Sequence, residues 1–548
     1  MKLSINKLRL AALISATALL TGVLVSIPVA ANAAIACDGK SPIQSCAGTT
    51  SDGAPFVAQI PANFTGTVAL YSHGYRPNVP VVAGIPGYGG YVVTNTAEPV
   101  PGGNVDVAKY FFSQGVAILG SGFARQGWNI DSALKTNVEL IELFKKQFPK
   151  TTKVLAWGSS LGGYITQGLA EVRPDLLTAA APMCIADSLE AELTLASDFL
   201  WGVKVLFDPT IKGGNYSAGA AGYAESMGDL GKFFTVIGKL SAGISTGKWP
   251  DTSSATGKSL EVAGIPVRSA LLLLGLMAGL PTQSAHFDSI SGPEIAALKL
   301  AFPLAVSPAL AILENGANAG ALGILATADA ELQAGGAIFD NTKTDYAARV
   351  ENERVIFNAA LSGDTAINGM LGALSAANPG APRAKGNVAA IAKLRALHVN
   401  KNKVNMPTIL MTGMADPITP AGASQLLVDA YATAYADAKA AAFKAYKSSR
   451  SYVAPANNLI MAWSKTPASW TTFDATGAPI TTTAAAPGTN HCNFTSSQLL
   501  FVAKSLVTVA STGRLPSGGA LNTLKFKGGN LLIDREYRAP YLKFWNEG

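Results

Sequence analysis

An apolar run, Lys153 to Trp157, leads through the Gly/Ser cluster Gly158-Ser159-Ser160-Leu161-Gly162 straight into a helix-like stretch ending near Val172. A break at Arg173-Pro174-Asp175 follows, and then a second apolar run, Leu177 to Met183. Strands alternating with helices argue for a parallel α/β sheet. The same alternation precedes this unit. Gly66 to Ser72 and Val116 to Gly120 read as buried strands bounded by turn residues, and Asp131 to Phe148 carries Val138, Leu140, Ile141 and Phe144 at helical spacing.

After Cys184 the alternation stops. From about Ala186 to Val404 the chain is rich in Ala, Leu and Gly, with helical stretches at Leu189 to Leu206, Ser291 to Phe302 and Asp345 to Leu361. It resumes at Pro407 to Gly413, with a helix over Ala421 to Lys447, a strand over Asn458 to Trp463 and a closing helix over Ser496 to Ala510. The expected architecture is therefore one α/β core interrupted by a helical insertion of about 200 residues. In residue numbers, the core spans 34–185 and 405–548 and the insertion 186–404. The stretch after Leu515 has no readable pattern.

The first 33 residues are set apart from this fold. Lys2, Lys7 and Arg9 precede an apolar segment from Leu10 to about Val29, and Ala31-Asn32-Ala33 closes it, as in a cleaved secretory signal peptide. A retained membrane anchor or lipidation at Cys37 are the alternatives. Cleavage removes three basic residues and no acidic one from totals of 42 and 35, leaving 39 against 35. That balance is too mild for a nucleic-acid or anionic-membrane partner. Beyond the leader, the longest apolar run is Ala270 to Leu280, broken by Gly275 and Gly279 and too short to span a bilayer, so no stable membrane insertion is expected after cleavage. A secreted or periplasmic location suits the four cysteines, whose even number in an oxidising compartment suggests two disulfides. Cys37 and Cys46 are near enough to close a small loop, which leaves Cys184 and Cys492 to each other. With four histidines and no CxxC pair, a metal centre is not expected.

Within the Gly/Ser cluster, Gly158 and Gly162 flank Ser160 at two residues on either side, the G-x-S-x-G spacing of a serine presented on a strained strand-to-helix turn. Ser159 does not fit that register, because position 157 is Trp. A mere glycine-rich turn is the plain alternative. A serine nucleophile needs a base, usually His oriented by a carboxylate, and on such a sheet the chain order is Ser, acid, His. Of the downstream histidines, His286 and His398 fall in or at the end of the insertion. His491, in Pro487-Gly488-Thr489-Asn490-His491-Cys492, lies between the last strand and the closing helix. For the acid, Asp416 follows directly on the strand ending at Gly413, while Asp474, in a Thr-rich loop with no strand before it, is the competitor. The main-chain N–H groups of Leu161 and Tyr75 are the expected oxyanion donors. Tyr75 lies in Tyr71-Ser72-His73-Gly74-Tyr75 after an early strand; His73, which precedes Ser160, is expected to be structural.

HGY after an early strand, GSSLGG at the turn, GMADPITP and NHC together resemble the α/β-hydrolase superfamily, over Gly66 to Ile185 and Met406 to Ala510. The resemblance implies an α/β fold whose mostly parallel sheet carries a large helical cap or lid inserted after the sixth strand. It also implies a serine hydrolase working through an acyl-enzyme on a small-molecule or polymeric ester, hydrophobic or aromatic. Such chemistry requires no organic cofactor. An amidase or peptidase of the same superfamily and an inactive secreted binding protein are the alternatives. The pair His491-Cys492 is similar to tannase-like and feruloyl-esterase-like enzymes, in which the Cys after the His is bonded to one immediately before the Ser. Here Ser159 occupies that place, and Cys184 is the available partner.

Overall fold

Buried on both faces, a parallel sheet needs strands that are apolar at every position rather than at alternate ones. Five strands are buried at every position and mostly apolar: β4 (Thr67–Ser72), β5 (Val116–Ser121), β7 (Ala179–Met183), β8 (Thr408–Gly413) and β9 (Leu459–Ser464). With β6 (Lys153–Ser159) they form a parallel block in the order β5-β4-β6-β7-β8-β9. A computed structural model describes residues 34–39, 42–85, 89–292 and 306–547, so the leader and most of the expected helix Ser291 to Phe302 lie outside the described residues.

Three antiparallel strands extend the β5 edge: β1 (Ala34–Cys37), β2 (Ile43–Thr49) and β3 (Pro55–Pro61). At the other edge the two-residue β10 (Leu531–Leu532) pairs antiparallel with β9. Neither addition was anticipated from sequence, because these strands are short or half-exposed and carry polar residues among their apolar ones. The Cys37–Cys46 disulfide links directly opposed residues of β1 and β2.

Successive strand residues point to opposite faces, and each face has its own helical cover. Tyr71, Ile118, Trp157 and Met411 meet helices α1 (Val105–Ser113) and α14 (Ser496–Thr512). Leu70, Leu119 and Ala156 meet α2 (Ile130–Gln147) and α3 (Leu161–Val172), and Leu410 and Met461 meet α13 (Ala421–Ser449). This is an α/β-hydrolase core.

The insertion leaves the sheet after β7, the sixth strand counted from β2, and returns at β8. Its helices are α4 (Leu189–Leu206), α5 (Gly219–Thr246), α6 (Ala255–Val262), α7 (Val267–Ala278), α8 (Ser307–Ala334), α9 (Tyr346–Arg349), α10 (Glu351–Ile356), α11 (Gly363–Ala373) and α12 (Val388–Ala396). They bury a separate core that includes Phe199, Leu230, Phe233, Leu272 and Ile312. The expected helix Asp345 to Leu361 is two short helices with a turn after them.

Helix α8 corrects the sequence reading of apolar segments, because its 28 residues are long and apolar enough to cross a bilayer. In the fold most of it is buried between other insertion helices. Glycines let the neighbours approach: a Cβ at Gly316 would fall 2.3 Å from the Phe199 ring, and one at Gly320 2.4 Å from that of Phe233. The unassigned C-terminal stretch forms α15 (Gly518–Gly528), β10 and a final turn. There Lys543 pairs with Glu353 of the insertion at 2.5 Å.

Candidate active site

Ser160 stands where β6 turns into α3, with φ 60° and ψ −128°, a backbone conformation that costs a non-glycine residue free energy. The turn is held from both sides. The Ser160 N–H donates to the Met183 carbonyl at 3.0 Å, and the Tyr164 N–H donates to the Ser160 carbonyl at 3.0 Å. The flanking glycines have a steric cause. A Cβ at Gly158 would lie 2.3 Å from the Gly162 carbonyl oxygen, and a Cβ at Gly162 would lie 2.0 Å from that of Ser72. Only hydrogen fits at either place.

His491 is brought to this serine across 331 residues, its Nε2 lying 2.8 Å from Ser160 Oγ. Its Nδ1 lies 3.1 Å from each carboxylate oxygen of Asp416. Asp416 is fully buried on the loop after β8 and accepts from the N–H groups of Ile418, Thr419 and Cys492 at 2.9–3.0 Å, and from the Thr419 hydroxyl at 3.2 Å. With these donors satisfied, the carboxylate is oriented to accept an Nδ1–H. That leaves the His491 Nε2 lone pair facing the serine hydroxyl. Asp474 is elsewhere, an exposed residue whose carboxylate closes its own turn onto Thr476 and Ala478.

The His491 loop is tied down at several points. Cys492 is disulfide-bonded to Cys184, which follows β7 and donates its N–H to the Met411 carbonyl at 2.7 Å. Thr489 bridges to Ala415 of the Asp416 loop, and the Ala415 N–H donates to the Gly488 carbonyl at 2.8 Å. Asn490, Cys492 and Cys184 all have positive φ, so the staple is set among residues with little conformational latitude. Cys184, Asp416 and Cys492 have ligand atoms close enough for a metal ion. With the two sulfurs bonded to each other and the carboxylate engaged, the trio does not fit one.

The other histidines have separate partners. His73 is buried with Nδ1 on the Gly74 carbonyl at 2.8 Å, and burial, reinforced by Arg76, pushes its pKa down to about 4. His398 meets the Tyr164 hydroxyl at 2.9 Å. His286 contacts Glu314 at 2.6 Å and the Thr483 carbonyl at 3.1 Å, joining the insertion to the segment before His491.

Tyr75 and Leu161 line the same cavity as Ser160. Among the described residues, no main-chain or side-chain hydrogen bond uses the N–H of either. The roof of the cavity comes from the insertion, through Leu189 and Ala196 of α4 and Leu322 and Ala326 of α8. One residue of this roof was missed from sequence. Glu192 of α4 is half-buried, and desolvation of its carboxyl, with Asp187 and Asp416 nearby, holds it well above the usual carboxylate range. The only local signal was a Glu in an otherwise apolar helical run, a pattern that a solvated helix face would also show.

No protein-family model matches the chain, and no curated protein matches it. Among solved structures it is similar to feruloyl esterase B from Aspergillus oryzae, with 12% identity over 87% of this chain and 83% of that one, at a TM-score of 0.34. An esterase from Aspergillus oryzae gives 10% identity over 77% and 71% at a TM-score of 0.31. An esterase/lipase from an uncultured bacterium gives 14% over 28% and 47% at 0.20.

Proposed function

We propose that this chain is a serine hydrolase of carboxylic esters. The observation that carries the proposal is the continuous relay from buried Asp416 through His491 to Ser160, at 3.1 and 2.8 Å. A serine hydroxyl is a weak nucleophile at neutral pH, and an imidazole accepting its proton removes that barrier. Ser160 Oγ attacks the acyl carbon while His491 Nε2 takes the proton. Asp416 holds the ring and stabilises the imidazolium. The N–H groups of Tyr75 and Leu161 receive the developing oxyanion. His491 then protonates the departing alkoxide, and a water activated by the same nitrogen cleaves the acyl-enzyme. Every proton passes through one nitrogen, so no cofactor is needed.

In this reading residues 186–404 are a cap over the cavity, the core is 34–185 with 405–548, and residues 1–33 are a cleaved leader. Two disulfides suit a secreted or periplasmic enzyme, and the apolar roof suits a hydrophobic ester, free or within a polymer. Kinship with tannase-like and feruloyl-esterase-like enzymes is part of the proposal, with the staple to the His loop moved from position 159 to Cys184. A fluorophosphonate probe tests the reading. Labelling of the folded protein that disappears in Ser160→Ala supports it, and absence of labelling at Ser160 overturns it.

A further inference from the structure

Between β9 and His491 the chain leaves the sheet, runs along the insertion and returns. The Lys465 N–H still donates to the Asn530 carbonyl of the core at 2.7 Å. From Thr466 to Ala486, the hydrogen bonds that leave the segment run, among the described residues, to the insertion or forward to Thr489. Phe473 packs against the insertion's own apolar core. The anchor of this contact is Asp288, fully buried on the stretch that joins α7 to α8. Its carboxylate accepts from the N–H groups of Ile290 and Ser291 and from the hydroxyls of Ser291 and Ser307, at 2.8–3.0 Å. Across the junction it accepts from the Ser469 hydroxyl and from the N–H groups of Trp470 and Thr471, at 3.0–3.1 Å. The Asp288 N–H in turn donates to Thr471 Oγ1 at 2.7 Å. Burial raises the pKa of this carboxyl, and the hydrogen bonds more than reverse that, holding it well below the usual carboxylate range.

The same strip of the insertion meets the far end of the segment, next to the base. The Ala486 N–H donates to the Ala285 carbonyl at 2.9 Å, and the Ala486 carbonyl accepts from the Thr489 hydroxyl at 2.6 Å. Thr489 precedes His491 by two residues. The disulfide fixes the residue after His491, and Ala415 fixes Gly488, but the chain before Gly488 is carried by the insertion. Little drift is tolerable in a ring that stands 2.8 Å from Ser160 and 3.1 Å from Asp416. A misplacement of about 1 Å can lower a rate about a hundredfold. Asp288 itself does not line the Ser160 cavity. Resting on the hydrolase reading above, we propose that Asp288 is a positioning residue of the reaction: by pinning residues 466–486 to the insertion, it sets where His491 stands between Asp416 and Ser160.

Asp288→Asn in the full chain tests this, because it keeps the shape of the side chain but turns an amide toward groups that donate. On a p-nitrophenyl ester, kcat is expected to fall by about tenfold to a hundredfold with KM within about twofold. The proton on His491 Nδ1, identified in the NMR spectrum by its loss in His491→Ala, is expected to change position in Asp288→Asn, because its distance from Asp416 sets that position. Lowered stability alone moves neither reading while the protein stays folded. Asp474→Asn, on an exposed turn of the same segment, is expected to leave both as in the wild type. If Asp288→Asn does not fold, Trp470→Phe combined with Thr471→Val removes the contacts to the Ser284 carbonyl and from the Asp288 N–H. That pair is expected to lower kcat by about threefold to tenfold with the same movement of the resonance. Fluorophosphonate labelling of Ser160 reports folding of each variant. A folded, labelled variant that keeps wild-type kcat, loses kcat with the resonance unmoved, or changes only in KM overturns this inference and leaves the hydrolase reading standing. Absence of labelling in the wild type overturns the hydrolase reading itself.

Discussion

The N–H of Cys492 donates to Asp416 at 2.9 Å, and the side chain of the preceding residue, His491, lies 3.1 Å from both oxygens of that same carboxylate. One buried acid therefore grips consecutive residues of the His491 loop, one by its ring and the next by its backbone, while the sulfur of Cys492 fastens the loop to Cys184 behind it.

This double grip makes the disulfide a positioning device as well as a covalent link. Replacing both Cys184 and Cys492 by Ser is expected to lower kcat more than it raises KM, because the roof of the cavity beside Ser160 comes from α4 and α8 rather than from the His491 loop. It is also expected to cost on the order of 2–5 kcal/mol of stability, as for native disulfides generally. Steady-state kinetics and thermal unfolding check both parts, and unchanged kcat with lowered stability would assign the bridge a purely structural role.

Asp416→Asn keeps the shape of the side chain but presents an amide to Nδ1, favouring the wrong His491 tautomer. A loss of about 10⁴-fold in kcat is expected, with folding retained. Asp474→Asn, on an exposed turn remote from His491, is expected to stay within about twofold of the wild type on the scale of surface changes. A large loss in the Asp474 variant would place the acid wrongly.

Register at the turn is testable in the same way. Ser160→Ala is expected to reduce turnover by about 10⁴-fold or more. Ser159→Ala removes only a 3.3 Å contact from the Tyr71 hydroxyl and is expected to retain most activity. Gly162→Ala would press a methyl group 2.0 Å from the Ser72 carbonyl oxygen, so about 3 kcal/mol or more of destabilisation is expected in chemical denaturation, together with loss of activity.

Asp187 offers a pH prediction. Burial is the main reason its pKa is pushed up to about 7. An unfolded chain ionises this carboxyl near pH 4. Below that the group is neutral in both states and costs nothing. Between about pH 4 and 7 the unfolded state alone loses the proton, so stability falls as pH rises, and above 7 the full penalty is present. Asp187→Asn is expected to raise the melting temperature at pH 8 and to leave it nearly unchanged at pH 4. Equal shifts at both values would count against this assignment.

Much of the candidate site was legible from sequence because its constraints are local or ordinal. Gly158 and Gly162 reveal Ser160 through sterics confined to five residues and the strand beside them. Asp416 is marked by directly following an apolar strand, and His491 by its place in chain order. The cysteine pairing needed only elimination. The edge strands β1 to β3 escaped because a half-exposed strand with polar residues carries little periodic signal.

Sequence by itself determined the parallel core and pointed to the break in it and to the Ser, Asp and His residues that the fold brings together, because strand, turn and helix grammar are written in neighbouring side chains. Only the tertiary structure decided what surrounds Ser160. Whether Glu192 faces water or an apolar cavity and whether α8 meets lipid or protein both depend on segments tens to hundreds of residues apart. Burial is a property of that assembly, and no local pattern encodes it.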